Sequence, residues 1–158
     1  MPAPARHSDE HEHRFAISKP THEDPTLVVC PSCRSKAFVL PTHEAEAAVK
    51  VVCHACGFSK RAEGATRRFD WYAENPTDGY FGLDLWLQTR CAGHSLWAFN
   101  HRHLDFLERY VSASLRERER DEQGWRNSSL ASRLPKWMTA GPNREEVIAA
   151  IRVLREKA

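Results

Sequence analysis

The sequence has no apolar run near the roughly 20 residues that a membrane-spanning helix needs. It also has little excess of charge, with Lys+Arg 23 against Asp+Glu 21 and a net charge of +2. The balance is similar along the chain: 8 basic against 8 acidic residues over 1–65, then 15 against 13 over 66–158. Composition alone therefore does not mark a polyanion binder, which usually carries a basic excess on its binding domain. Enzyme motifs are missing too. There is no Walker loop, no Gly-rich dinucleotide turn, no Gly-x-Ser-x-Gly and no HExxH. Met1 to Glu10 is Pro, Ala, His and acid with no apolar stretch, so no secretory leader is expected. The expectation is a cytoplasmic chain with no membrane attachment and with reduced thiols, where paired cysteines read as metal ligands before disulfides.

Five cysteines stand against those absences, and four form two pairs. Cys30-Pro31-Ser32-Cys33 is followed, nineteen residues on, by Cys53-His54-Ala55-Cys56. Two residues between cysteines let one tight turn aim both thiolates at the same ion, and two such turns complete a tetrahedron. One Zn2+ bound by Cys30, Cys33, Cys53 and Cys56 is expected. Four thiolates close the coordination shell, so the ion should be structural. Gly57 suits the positive φ that points an amide at a thiolate. Cys91 and His94 resemble a further half-site but have no second pair.

The fold expected is α+β. An N-terminal zinc ribbon of small antiparallel strands precedes a β-hairpin and two to three helices. Residues 1–25 read as a disordered, His-rich tail. The ribbon spans 26–62, a connector 63–80, and the hairpin with helices 81–158. Ribbon strands are expected at Leu27–Val29, Ala37–Leu40, Val49–Val52 and Gly57–Lys60. A further strand is possible at Thr66–Trp71, and a turn at Asn75–Gly79. Asn100 should cap a helix from His101 to about Arg120, with Leu104, Leu107, Val111 and Leu115 as its apolar stripe. A short helix is expected at Ser129–Arg133. Asn143 and Glu146 read as a capping box for a last helix that buries Val147, Ile148, Ile151 and Leu154.

The hairpin supplies a candidate surface. A three-residue loop, Cys91-Ala92-Gly93, puts Leu85, Leu87, Trp97 and Phe99 on one face. Trp86, Gln88, Arg90, His94 and Leu96 share the other. An indole beside a guanidinium and an imidazole suits base stacking and phosphate contact. A second candidate is a protein-docking patch of Arg133, Lys136 and Trp137.

The two knuckles resemble zinc ribbons of the transcription factor IIB type over residues 27–60. Three later stretches resemble a group of uncharacterised bacterial zinc-ribbon-containing proteins. They are Tyr80–Thr89, Asn100–Tyr110 and Ser129–Met138, and the likeness ends at Asn143–Val147. This chain carries Ala92 where that group is associated with a second cysteine. The resemblance implies an architecture and no activity. The expectation is a non-enzymatic protein that binds nucleic acid or docks on a nucleic-acid-processing machine such as RNA polymerase or the ribosome. The alternatives are a protein-interaction adaptor without nucleic-acid contact and a Cys/His-dependent enzyme.

Overall fold

The computed structural model describes residues 19–44, 48–64, 73–121 and 134–158, except for the side chains of 113–121. The chain is α+β. Four strands, β1 (Thr26–Val29), β2 (Lys36–Pro41), β3 (Ala48–Val52) and β4 (Ser59–Glu63), form an antiparallel meander in chain order. Each expected ribbon strand forms, the last shifted from Gly57–Lys60 to Ser59–Glu63. Alternation decides its faces: Val28, Ala37, Val39, Val49 and Val51 are buried on one side. Lys36, Phe38, Leu40, Lys50 and Val52 stand half-exposed on the other. The outer strand β4 (Ser-Lys-Arg-Ala-Glu) is mostly exposed, and its charged side chains discourage edge-to-edge pairing.

β1 has no such open edge. Leu27 N donates to Phe99 O (2.8 Å), Val29 N to Asp84 O (2.8 Å), and Trp86 N to Leu27 O (3.0 Å). Val28 bridges antiparallel to Leu85. One continuous core therefore runs from Leu27 through Leu85 and Leu104 to Leu154. The ribbon and the hairpin–helix part, separated at 63–80 on sequence grounds, share that core.

The hairpin pairs β5 (Leu87–Cys91) with β6 (His94–Ala98). Its loop differs from the expected three residues. Cys91 pairs with His94, leaving a two-residue loop of Ala92 (φ 50) and Gly93 (φ 78). Both are left-handed, as a type I′ turn requires, and this geometry matches the twist of the strands. Alanine pays a steric cost in that conformation, which makes it a poor fit to such a turn by sequence. The shift exchanges the faces of β6: Leu96 and His94 lie with Leu87 and Cys91, whereas Trp97 lies opposite Gln88. Trp97 is nonetheless buried, edge-on to Phe99 and His103.

Helix α1 (His101–Asp121) starts where expected, with Asn100 Oδ1 accepting from His103 N (2.9 Å). Leu104, Leu107 and Val111 are buried with Phe106 and His103; the side chain of Leu115 lies outside the described residues. After Pro135 comes a single turn, α2 (Lys136–Thr139), then a 3-10 turn (Gly141–Asn143) and α3 (Arg144–Lys157). Val147, Ala150, Ile151 and Leu154 are the buried stripe of α3, while Ile148 is half-buried. The capping box does not form. Asn143 donates instead to Trp137 O (3.0 Å), and Glu146 accepts from Ala92 N (2.7 Å) in the hairpin turn. Arg155 of α3 ties to Asp105 (2.6 Å) and Glu108 (2.5 Å) of α1. The expected elements at Thr66–Trp71 and Ser129–Arg133 and the tail over residues 1–18 lie outside the described residues.

Candidate metal centre and its flanking surface

The cysteines sit at two turns built alike. At the first, Cys30 N donates to Ser35 O (2.8 Å) and Arg34 N to Cys30 O (3.0 Å). At the second, Cys53 N donates to Phe58 O and Gly57 N to Cys53 O, both 2.9 Å. The residue after each pair is left-handed, Arg34 at φ 67 and Gly57 at φ 79. That conformation folds each turn back so that both of its thiols face inward.

The four sulfurs all lie within 4.8 Å of one another. Cys30 Sγ is 3.6 Å from Cys56 Sγ, and Cys33 Sγ is 3.6 Å from Cys53 Sγ. A disulfide needs about 2.05 Å, and all four thiols are free. A tetrahedron with Zn–S bonds of about 2.3 Å has edges of about 3.8 Å, so the observed separations fit a tetrahedral ion. Cys30 and Cys53 are buried and Cys33 and Cys56 exposed. The expected ligand set is thus brought together whole.

The turn polarises its own thiols. Side-chain and backbone hydrogen bonds with Ser35 draw Cys33 down to about 6. Cys30 is also lowered: burial opposes ionisation there, but the amides of Cys33 and Ser32 outweigh it. Cys56 goes the other way, to about 11, since the Phe58 amide is outweighed by burial and the three neighbouring cysteines. A divalent cation would remove that mutual repulsion by binding all four as thiolates.

The hairpin candidates do not form one open surface. Trp86 is half-buried; its Nε1 donates to Lys157 O (2.9 Å) and Lys157 Nζ lies 4.9 Å over its ring. Gln88 donates to Leu85 O (2.8 Å). Arg90 is exposed and reaches only its own hairpin, at Ser95 Oγ (3.4 Å) and Gly93 O (3.3 Å). His94 stacks on Trp137, with ring centres 4.7 Å apart and planes 7° from parallel. Two separately nominated residues therefore meet. Lys136 is exposed, and Arg133 lies outside the described residues.

Cys91 is buried, and burial with Glu146 pushes its thiol up to about 11. Among the described residues, no further group of three or more His, Cys, Asp or Glu converges as the four cysteines do. Sequence reasoning missed Asp78. This carboxylate, 1% exposed, accepts from Tyr80 N (2.9 Å), Phe81 N (2.8 Å) and Leu83 N (2.7 Å). It holds the loop that delivers Leu85 to β1. The turn signal around Pro76 and Gly79 marked the place, but nothing there distinguishes a buried Asp from a solvated one.

Among the described residues, no helix is long and apolar enough to cross a membrane. No family model, curated protein or solved structure matches the chain.

Proposed function

We propose that this chain is a non-enzymatic zinc-ribbon protein whose ion is structural and whose task is to bind nucleic acid as part of, or alongside, a nucleic-acid-processing machine. The ion is one Zn2+, held by Cys30, Cys33, Cys53 and Cys56. The observation that carries the reading is the closed set of four sulfurs at tetrahedral spacing. It leaves no coordination position for a water or a substrate, so the metal would supply rigidity and no Lewis-acid step. Cys91, the remaining thiol, is held far from the thiolate form that nucleophilic catalysis needs. On this reading the chain is cytoplasmic, a member of the bacterial zinc-ribbon group that it resembles.

Two measurements test it. Elemental analysis of the purified chain should find one zinc and no iron. Labelled single-stranded DNA or RNA should bind at low salt and weaken steeply as salt rises. An absence of binding at low salt would remove the nucleic-acid part of the proposal and leave the zinc site standing.

The covering of Trp86 by Lys157 favours a second reading. In that reading the chain is an adaptor without nucleic-acid contact, docking through the paired His94 and Trp137 rings with Lys136 beside them. A partner captured by the intact chain and lost with Trp137→Ala would support the adaptor.

A further inference from the structure

The hairpin residues that sequence reasoning nominated do not share one face, and a different face brings rings and cations together. On the outer face of the ribbon sheet, aromatic rings and cations alternate. Lys36 Nζ lies 5.7 Å from the Phe38 ring centre. On the same ring, His54 of the second knuckle packs at 5.3 Å, tilted by 50°. The register carries this face across the sheet, with Phe38 opposite Val52 and Leu40 opposite Lys50. Lys36 Nζ also donates to Ala158 O (3.1 Å), adjoining Lys157 over Trp86. A stripe of Trp86, Lys157, Lys36, Phe38 and His54, with Lys50 alongside, therefore crosses the molecule beside the metal centre.

Its charge leans positive: Lys36, Lys50, Arg61 and Lys157 stand beside Glu44 and Glu63, the latter paired with Ala48 on this face. Among the described residues, the ion pair on this face joins Arg61 to Glu44, at the end away from the knuckles. Lys36 is engaged by Ala158 O and by the Phe38 ring. Lys50 has the aliphatic Leu40 and Arg61, itself ion-paired to Glu44, as its cross-strand neighbours. Half-exposed Phe38 sits among these cations on a rigid strand.

We propose that this face, with Phe38 at its centre and Lys36, Lys50 and His54 around it, is a binding site for single-stranded nucleic acid. The inference rests on the proposed function and adds to it the site and the strandedness. A base would stack on Phe38 beside His54, and the flanking phosphates would meet Lys36 and Lys50. A duplex does not suit the site, because its bases are already stacked on one another and present no free ring face. The modest number of cations fits an affinity shared between stacking and phosphate contact. A patch that worked by charge alone would need more of them.

The test uses the full zinc-loaded chain and fluorescein-labelled oligo(dT) and oligo(U) of about 12 nucleotides, read by anisotropy over a range of salt. Phe38→Ala should weaken binding roughly tenfold without changing the salt slope. Lys50→Gln should lower the slope of log K against log salt by about 0.7. Lys60→Gln is the control: Lys60 pairs with Val51 and so points to the opposite side of the sheet, and its loss should change nothing. If Phe38→Ala fails to fold by circular dichroism and zinc content, the Lys50 and Lys60 variants decide. Wild-type binding left unchanged by Phe38→Ala and Lys50→Gln would overturn the site and leave the proposed function intact. Equal loss in Lys50→Gln and Lys60→Gln, or duplex and polyglutamate binding as tight as single strands, would reduce it to general charge and also overturn it. No binding by the wild type would sink both the site and the nucleic-acid reading.

Discussion

At the scale of single residues, two buried or strained groups give the clearest consequences. His103 is fully enclosed, with Nδ1 accepting from Phe99 N (3.0 Å). Burial, helped by the charge of Arg102, pushes its pKa from 6.5 down to about 3. Below pH 6.5 the unfolded chain takes up a proton here that the folded chain refuses. Stability is therefore lost as pH falls through this window, by about 1.4 kcal/mol per pH unit. Urea unfolding of wild type and His103→Gln at pH 6.5 and pH 5 should show about 1.6 kcal/mol more loss in the wild type. Comparing the two proteins cancels the contribution of the four clustered cysteines, which would also lose a bound metal to protons in acid. Equal losses would refute a neutral buried imidazole. Ala92 is the second case, held at φ 50 where a Cβ is crowded. Ala92→Asn should raise stability by about 1 kcal/mol, visible as a higher urea midpoint at unchanged slope. The four cysteines were legible because their spacing is the chemistry. Asp78 and His103 were not, because burial depends on what the rest of the chain brings near them.

At the scale of elements, the strands and α1 were readable from alternation, from the spacing of Leu104, Leu107 and Val111, and from the cap at Asn100. The hairpin register was not. It turned on one residue, Ala92, adopting a conformation that its side chain disfavours. The tie from Ala92 N to Glu146 accounts for that choice and for the missing capping box: Glu146 anchors the hairpin tip to the first turn of α3. A contact between elements 54 positions apart has no local sequence signature. Glu146→Ala should cost about 1 kcal/mol, since it removes a charged acceptor at an exposed turn and an acid at a helix start. Glu146→Gln should recover most of the hydrogen-bond part. A loss below a few tenths of a kcal/mol in the alanine variant would show that the hairpin is held by its core face alone.

At the scale of the whole molecule, the metal centre and the hairpin–helix part are coupled through β1. That strand gives one edge to β2 and the other to Asp84, Trp86 and Phe99. Its first residue past the strand is the candidate ligand Cys30, and Leu27 and Val28 lie in the common core. A ribbon that lost its ion would release four thiols at two turns. The loss should then travel along β1 into the pairing with Leu85 and Phe99. Although a connector is expected at 63–80, the shared core argues for one transition. Structural zinc in small sites supplies about 10–16 kcal/mol of binding free energy at neutral pH, enough to decide whether the ribbon folds. The most direct test is thermal unfolding of the purified chain, with zinc content measured on the same sample, before and after a strong chelator. One zinc per chain is expected. Its removal should lower the midpoint sharply, with the tryptophan and backbone signals moving together, and added zinc should restore it. A chain that holds no metal, or that keeps its midpoint when stripped of zinc, would contradict the account.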